Sequence, residues 1–543
     1  MQFSICGKLI GESKMRNFAI GVVLFALVNI VPAQAKNFRW SSQGDAATLD
    51  PHSQNETFNN GVNNLVYEYL VNRDRKEYAK HVPALAVSWT NTGPLTWVFK
   101  LRQGVTFHDG TPLTADDVVF SFNRARESTV TFRLYSTQSG IPRKIDDYTV
   151  EFTTPVPNPV MLDTVTNIMI MSKAWCEKNN VVKPLDYIKK EESFATRNAM
   201  GTGPYRLIVW EQGIKILHNK NPNWWGIKAG EYTGNIETID YRPISNPSTR
   251  MAALKSGELD FVLDPSVQDI LRLRNDPDVK IWEGNEQRLI YVGFDQERAE
   301  LLYSDVKGKN PFKDKRVRLA LFQAIDTNAI KTTVMRGFSI PTGIPLSAGL
   351  AAGLPAAMET RPPYDVAKAK KLLADAGYPN GFGFTLHCPN DRYVNDEKIC
   401  VAIAGMWAKI GIDARVESMT KANFFPKVQK RDTSAFLAGW GGGVTDAIFI
   451  LKPVHHSRDG KGAGDSNYGN AKIDELDTLI DKLEGEMNLV ERQAMINRAT
   501  KIMQDEVHVI PLHRQVIPWA SRKNVTVLHR PNNLPVLHWV VIK

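Results

Sequence analysis

Apolar and polar positions along the chain predict short strands and helices that alternate. From Thr96 to Leu101 apolar and polar residues alternate, which is the pattern of a half-buried strand. Thr114 stands before a helical pattern with Asp117 three residues later, an acidic variant of the capping box. Further strand patterns cover residues 148–153, 259–263 and 289–294, and further helix patterns cover 248–256, 314–325, 366–376 and 397–410. This alternation favours a mixed α/β fold.

The first 35 residues have the layout of a secretory signal peptide. Three basic residues precede an apolar run over residues 18–31, and Ala33-Gln34-Ala35 places small residues where a signal peptidase cleaves. The run is too short to cross a bilayer, which takes about 20 residues. We therefore expect residues 1–35 to be removed and a soluble, exported protein to begin at Lys36.

Composition and charge exclude several classes of protein. The 543 residues are 43% hydrophobic and 23% charged, close to the average globular protein, which rules out a disordered chain, a collagen and a multispan membrane protein. The formal charge is +9, but the basic residues are spread along the chain, so no basic stripe for nucleic acid is predicted. The length suggests roughly two to four domains.

Three cysteines follow the predicted cleavage site. An exported protein meets an oxidising compartment, in which a disulfide is stable. Cys388 ends a strand-like run and Cys400 lies one turn into the following helix, so we predict that these two are bonded and that Cys176 is free. The spacing is too wide for a redox-active C-x-x-C motif.

The sequence contains none of the common catalytic motifs for zinc proteases, P-loop nucleotidases or serine hydrolases. The glycine-rich run from Gly439 to Gly443 is compatible with either a β-turn or the floor of a binding pocket. His455 and His456 lie near Asp459, but adjacent histidines point in different directions, so we predict an exposed loop pair rather than a metal site. The prediction is a protein without cofactor, metal or catalytic activity.

One long stretch carries a specific resemblance. Residues 95–124, LTWVFKLRQGVTFHDGTPLTADDVVFSFNR, resemble the signature region of the large extracytoplasmic solute-binding proteins of ABC importers. That family includes dipeptide-, oligopeptide- and nickel-binding proteins. The similarity continues, in the family's order, through residues 48–51, 83–86, 201–205, 364–377 and 439–440, and so covers nearly the whole mature chain.

The resemblance implies an α/β, two-lobed periplasmic-binding-protein (clamshell) fold of the large peptide-binding type with a subdivided first lobe. Lobe one is expected over residues 36–290 plus 515–543, with the extra subdomain at about 76–190, and lobe two over 291–514. In such a clamp the ligand touches both lobes only in the closed form, so binding shifts an equilibrium between open and closed states. A membrane permease then recognises the closed state.

The resemblance also implies part of a ligand site. The segment Asn390 to Tyr393 matches the family's arginine segment, so Arg392 is expected to hold an anionic group of the ligand with its guanidinium. The family's ammonium-binding aspartate falls at Gly443, which cannot do that task. Asp446, three residues on, is expected either to replace it or to cap the next turn. This departure favours a ligand other than an ordinary peptide with a free N-terminus.

Other residues are expected in the cleft from the family's pattern. Lobe one contributes Asn55, Glu56 and Thr57. Lobe two contributes Trp440, Gly441, Gly442 and Tyr468.

Together these observations predict a periplasmic, monomeric, non-enzymatic receptor. It would capture short peptides, or similar small zwitterionic or anionic solutes, and deliver them to an ABC permease in the inner membrane. The first alternative is the same receptor for a metal chelate, an opine or modified amino acid, or a sugar derivative. A remote alternative is a secreted hydrolase that uses Asp446 or His108 as an acid or base.

Overall fold

The computed structural model describes residues 36–347, 353–441 and 446–543, and the predicted signal peptide lies outside this range. The strands of the described residues are β1 (Lys36–Ser41), β2 (Val71–Arg73), β3 (His81–Pro83), β4 (Ala86–Gly93), β5 (Thr96–Leu101), β6 (Ile141–Asp146), β7 (Thr149–Thr153), β8 (Tyr205–Glu211), β9 (Lys215–Lys220), β10 (Ile236–Tyr241), β11 (Phe261–Val262), β12 (Val279–Phe294), β13 (Ser339–Pro341), β14 (Gly383–Pro389), β15 (Asp413–Met419), β16 (Ala435–Gly441), β17 (Ile510–Arg522), β18 (Val525–Thr526) and β19 (Val541–Ile542).

The α-helices of the same residues are α1 (Thr57–Asn63), α2 (Ala115–Arg126), α3 (Phe132–Ser139), α4 (Met161–Val165), α5 (Lys173–Lys178), α6 (Phe194–Arg197), α7 (Trp225–Lys228), α8 (Pro247–Ser256), α9 (Ile270–Arg274), α10 (Lys315–Gln323), α11 (Thr327–Ala329), α12 (Val366–Asp375), α13 (Asp396–Ala408), α14 (Lys421–Gln429), α15 (Ile448–Ile450), α16 (Asp474–Gly485) and α17 (Leu489–Asp505). In this part of the chain, no helix is long and apolar enough to cross a membrane.

A large mixed sheet joins both ends of the sequence. Its strands, eleven in the described residues, run in the order β15-β14-β16-β12-β17-β11-β1-β10-β9-β8, and β13 also pairs with β17. Strands β12 and β17 lie side by side in the middle and pair antiparallel along most of their length. Beyond this pair, β12 bonds to β16 and β17 bonds to β11, so the two long strands connect the two halves of the sheet.

The pairing of β12 with β17 is irregular between Asn285 and Leu289. An irregularity of this kind breaks the strict alternation of side chains and turns some of them toward a new direction. Glu286, Gln287 and Arg288 occupy the irregular stretch. The side chains of Glu286 and Arg288 are both buried there and form part of the site described below.

A second sheet, β4-β5-β7-β6, is antiparallel and packs against α2. The predicted strand Thr96–Leu101 is confirmed as β5, and the predicted Thr114–Asp117 capping box is present at the start of α2. Between the sheet and the helix, the rings of Phe122 and Phe152 meet edge to face with centroids 4.8 Å apart. Burial of these apolar faces holds the helix on the sheet.

The remaining predicted elements are found with shifted ends. The helix predicted over 248–256 is α8, and it ends where Gly257 takes a left-handed φ of 82°. The strand predicted over 289–294 is the buried half of β12, which begins at Val279. Its first half is mostly half-buried or exposed and has no apolar run, so the sequence pattern does not predict a strand there. The strand predicted over 259–263 is shorter, Phe261–Val262.

Cysteine pairing follows the predicted pattern. Cys388 at the end of β14 is bonded to Cys400 in α13, with Cα atoms 6.7 Å apart. Cys176 is free and buried, and burial raises the pKa of its thiol to about 12. That thiol is therefore protonated and unreactive at neutral pH.

The prediction of an exposed histidine pair is wrong. His455 and His456 are both buried, at the end of a π-helical turn, Leu451–His455. His455 Nε2 lies 3.1 Å from the carbonyl oxygen of Pro345, and His456 Nε2 lies 3.3 Å from Asp481. The two rings serve as packed core groups, which the pattern of polar neighbours in the sequence did not reveal.

Candidate functional site

A cavity of about 330 Å³ brings together residues from distant parts of the chain. This size is within the range of small-molecule sites, roughly 300–1,000 Å³. Aromatic side chains form much of its wall, among them Tyr135, Tyr291, Tyr393, Phe425 and Trp440. The predicted site residues that line it are Asn55, Glu56, Thr57, Arg392, Trp440, Gly441 and Tyr468. Gly442 and Gly443 lie outside the described residues.

Glu56 is the acidic centre of the site. It is the N-cap of α1, and its carboxylate accepts hydrogen bonds from the backbone N–H groups of Phe58 and Asn59, at 3.0 and 2.9 Å. It also lies 3.0 Å from Arg392 Nε and 3.3 Å from Lys421 Nζ. Burial alone would raise the pKa of Glu56, but the two cations and the two N–H groups outweigh it and lower this pKa to about 2. Glu56 is therefore ionised at neutral pH.

Two guanidinium groups converge on one hydroxyl. Arg288 Nη2 donates to Thr57 Oγ1 at 2.9 Å, and Arg392 Nη2 donates to the same oxygen at 3.3 Å. Both arginines line the cavity. In each of them, Nη1 donates no hydrogen bond to any residue that the structure describes. Each guanidinium therefore keeps N–H donors for a further acceptor.

Arg288 is held from behind by a buried carboxylate. Its Nε donates to Glu286 Oε1 at 2.8 Å, and Gln515 Nε2 donates to the other oxygen of Glu286 at 2.7 Å. Glu286 is fully buried in the irregular stretch of β12. Because these contacts fix the Arg288 side chain, its remaining N–H groups point in a defined direction.

Arg392 is positioned by its own loop. The Asp396 carboxylate accepts hydrogen bonds from the backbone N–H groups of Arg392 and Tyr393, both at 2.9 Å. Burial raises the pKa of Asp396 to about 7. The Tyr393 ring lies below the Arg392 guanidinium, with Cζ 4.9 Å from the ring centroid. The loop thus presents Arg392 from a fixed turn at the start of α13.

The glycine-rich segment forms a wall of the cavity as the last part of strand β16. Gly439 N donates to Tyr393 Oη at 2.8 Å, and Trp440 Nε1 donates to the carbonyl oxygen of Phe449 at 2.8 Å. Gly441 pairs with Arg288, and a Cβ at Gly441 would overlap the carbonyl oxygen of Gln287. Gly439 and Gly441 therefore belong to a strand that forms the pocket wall, and not to a β-turn.

Asp446 does not line the cavity. Arg492 donates to both of its carboxylate oxygens, at 2.6 and 3.0 Å, and Ile448 N donates to one of them at 2.9 Å. The side chain is thus occupied by the ion pair with Arg492 and by a hydrogen bond that caps the next turn. Of the two roles expected for Asp446, the structure places it in the capping role. The expectation that it binds a ligand ammonium is corrected, because its oxygens already have partners.

His108, the other acid or base of the hydrolase alternative, also lies away from the cavity lining. Its Nε2 is 3.1 Å from the carbonyl oxygen of Gly203, and burial lowers the pKa of the ring to about 4. His108 and Asp446 are not brought together with the residues that surround Arg392.

A second acidic residue in the cavity wall escaped the sequence reasoning. Glu68 accepts hydrogen bonds from Trp224 Nε1 at 3.1 Å and from Trp225 Nε1 at 3.0 Å. Arg102, which lies over the Trp225 ring at 3.9 Å, is the cation that interacts with Glu68 electrostatically, but the two do not form an ion pair within 4 Å. Burial raises the pKa of Glu68 to about 7, so a substantial fraction is protonated near neutral pH.

Arg288 and Lys421 were missed as well. Arg288 stands one residue before the apolar run 289–294, so its position predicts only the edge of a strand. Lys421 follows Thr420 at the start of α14, where a lysine is typical of a solvent-exposed helix position. Their burial beside Glu56 and Thr57 depends on contacts between segments far apart in the sequence, for which a single sequence carries no local signal.

Known proteins resemble this chain over most of its length. A family model described as bacterial extracellular solute-binding proteins, family 5 (middle) matches residues 80–462. The glutathione-binding protein GsiB of Escherichia coli O6:K15:H31 is 27% identical over 517 residues, which cover 92% of this chain and 92% of that protein. Heme-binding protein A of Haemophilus influenzae is 27% identical over 484 residues, which cover 84% and 83%.

Among solved structures, the periplasmic binding protein DppA of Helicobacter pylori in complex with the peptide STSA superposes with a TM-score of 0.81. It is 24% identical, and the match covers 94% of this chain and 98% of that one. This likeness shows the fold, and the predicted two-lobed periplasmic-binding-protein fold is confirmed.

Proposed function

Because the chain belongs to the bacterial extracellular solute-binding proteins of family 5, we propose that it is the periplasmic receptor of an ABC importer. It captures a short peptide, or a similar small anionic or zwitterionic solute, and delivers it to a membrane permease. The observation that carries this proposal is the pair Arg288 and Arg392, which lines the cavity and converges on Thr57.

The pair suits a carboxylate. A guanidinium stays protonated at any physiological pH, and its planar fork binds the two oxygens of a carboxylate side by side. Around Thr57 the cations Arg288, Arg392 and Lys421 are accompanied by the carboxylates Glu286, Glu56 and Asp391. The site therefore attracts a solute carboxylate through the remaining N–H donors of the two guanidinium groups rather than through an excess of positive charge.

The expected lobes give the site a closing mechanism. With lobe one at residues 36–290 plus 515–543 and lobe two at 291–514, Glu56 belongs to lobe one, whereas Arg392 and Lys421 belong to lobe two. The Glu56 ion pairs then bridge the two lobes in the closed form. A solute held by Arg288 and Arg392 adds contacts from both lobes, which shifts the equilibrium toward closure.

One observation favours the alternative of a cargo without an ammonium group. The position of the family's ammonium-binding aspartate is Gly443, and Asp446 is occupied by Arg492. Glu68 remains as a lining carboxyl that forms no ion pair within 4 Å among the described residues, but its raised pKa weakens it as an ammonium site near neutral pH. The names of the relatives, which include glutathione-binding and heme-binding proteins, agree with a family that varies its cargo.

The test is identification of the molecules that the purified mature protein releases on denaturation, by mass spectrometry. Each candidate, together with a panel of short peptides that includes glutathione, is then added back in a thermal-unfolding assay. A ligand at 100 times its dissociation constant stabilises the protein by about 2.7 kcal/mol, which is readily measured.

The expected result is recovery of a small carboxylate-bearing solute that stabilises the wild type but not Arg392→Ala or Arg288→Ala. Arg498→Ala is the matched control, because Arg498 forms an exposed ion pair with Glu475 and does not line the cavity. Recovery of a solute without a carboxylate would contradict the assigned anion site, and recovery of one without an amine would exclude peptides.

A further inference from the structure

The cavity has a second group of charged residues, away from Thr57. It is built by the C-terminal segment and by the loop between β2 and β3. Arg530 is buried, with 8% of its surface exposed, and lies between the rings of Tyr78 and Trp539. Its Cζ is 4.8 Å from the Tyr78 centroid and 5.3 Å from the Trp539 centroid, and all three residues line the cavity.

Arg530 differs from the other buried arginines. Arg124 donates to both carboxylate oxygens of Asp50, each at 2.7 Å, and Arg318 donates to backbone carbonyl oxygens, including that of Val507. The side chain of Arg530 donates no hydrogen bond to a described residue and has no carboxylate at ion-pairing distance among them, and its Nε is buried without an acceptor.

Such a group is unusual because buried charges in proteins are normally paired. The two aromatic rings offset part of the lost hydration through their faces. They leave the N–H groups at the edge of the guanidinium plane without acceptors. An anion that enters the cavity would supply those acceptors.

The charges around Arg530 also favour an anion. Arg75 lies over the Trp539 ring at 5.1 Å and donates to Thr233 Oγ1 at 2.8 Å, so it adds a positive charge beside Arg530, whereas the charge of the nearby Arg73 is already paired with Asp163. The neighbouring carboxylate of Asp74 accepts hydrogen bonds from the backbone N–H groups of Lys76 and Glu77, both at 2.8 Å. It caps its own turn and makes no ion pair with Arg530.

From this arrangement we infer that Arg530 is a second anion-binding group of the cavity, and that the solute carries two separate carboxylates. One is held by Arg288 and Arg392, and the other is held by Arg530 between Tyr78 and Trp539. The solute class is therefore a peptide with an acidic side chain or a comparable dicarboxylate. This inference rests on the proposed solute-binding function and narrows its substrate.

The test uses tripeptides as probes. Ala-Ala-Ala is compared with three pairs of peptides that carry Glu or Gln at the first, second or third position, by calorimetric titration of the ligand-free protein. Glu and Gln have the same shape, so each pair isolates the charge. In at least one pair the Glu peptide is expected to bind at least about tenfold more tightly, as for a buried hydrogen-bonded charge pair.

Variants then locate the preference. Arg530→Gln should reduce the Glu-to-Gln ratio to about one, and Arg530→Lys should keep part of it because the charge remains. Arg197→Gln is the matched control, since Arg197 also stacks on an indole, that of Trp210 at 5.5 Å, but does not line the cavity. It should leave the ratio unchanged.

Equal binding of Glu and Gln peptides by the wild type would overturn the inference, as would a preference that survives in Arg530→Gln. A purely structural role would lower the stability of Arg530→Gln without changing the ratio. If Arg530→Gln does not fold, the test uses Arg530→Lys. An Arg530→Lys protein that is less stable but keeps the wild-type ratio of Glu-peptide to Gln-peptide affinity would contradict the inference.

Failure of every peptide to bind would instead remove the peptide part of the proposed function. The solute released from the purified protein then becomes the probe. The inference requires two carboxylates in that solute and weaker binding by Arg530→Gln, and a solute with a single anionic group overturns it.

Discussion

The substitution Glu56→Gln removes one charge from the centre of the site and is expected to destabilise the ligand-free protein strongly. Gln keeps the length of the side chain and an oxygen for the N–H groups of Phe58 and Asn59. It leaves Arg392 and Lys421 without a carboxylate at ion-pairing distance, and loss of one partner from a buried ion pair costs about 3–5 kcal/mol.

The lowered pKa of Glu56 gives an independent magnitude. A carboxyl whose pKa falls from 4.5 to about 2 on folding contributes about 3 kcal/mol of stability at neutral pH. Because the folded-state pKa is the lower one, this contribution is fully present above pH 4.5 and is lost as the pH falls toward 2. By pH 3, about 2 kcal/mol of it has gone.

The assay is urea unfolding of the wild type and Glu56→Gln at pH 7, 4 and 3. The difference in the free energy of unfolding should be about 3 kcal/mol or more at pH 7 and should shrink by about 2 kcal/mol at pH 3. Glu475→Gln is the control, since its ion pair with Arg498 is exposed and contributes less than about 1 kcal/mol. A Glu56→Gln difference that is small at pH 7, or that does not change with pH, would refute the ionised buried carboxylate.

Three further predictions concern residues around the site. Asp446→Asn should lower the free energy of unfolding by about 3 kcal/mol, because Arg492 loses its carboxylate partner. The affinity for the solute should fall far less than in Arg392→Ala. An equal loss of affinity would show that Asp446 belongs to the binding site. Cys400→Ser should lower the free energy of unfolding by about 3 kcal/mol in urea without reductant, because the disulfide no longer closes the loop between Cys388 and Cys400. Addition of a reductant should remove the difference between the variant and the wild type. Gly441→Ala should destabilise by about 1–3 kcal/mol, since its Cβ would meet the Gln287 carbonyl, and an unchanged thermal midpoint would show that β16 relaxes freely.

Local elements of this fold could be predicted from the sequence because their signals are local. The Thr114–Asp117 box, the Asp365 cap of α12 and the glycine after α8 each satisfy backbone groups within a few residues. The Cys388 and Cys400 pairing was predictable for the same reason, as the two residues are 12 positions apart.

The candidate site was predictable only where the family resemblance supplied positions. Arg392 and Thr57 were named on that basis, yet their contact joins residues 335 positions apart, and the part of Arg288 in it was missed. Asp446 was predicted for the site but lies outside it. Its partner Arg492 lies 46 positions away, and nothing near Asp446 in the sequence indicates that ion pair. Ion pairing between distant segments is decided by the tertiary fold, which a pattern of neighbours does not contain.

The central claim is that the cavity binds one small solute per chain and releases it unchanged. The most direct measurement is calorimetric titration of the released solute, followed by mass spectrometry of the solute after prolonged incubation with excess protein. The account predicts a stoichiometry of one, an unaltered solute mass, and loss of binding in the Arg288→Ala and Arg392→Ala variants. A changed solute mass would show turnover, and undiminished binding by both variants would place the solute elsewhere; either result would contradict the account.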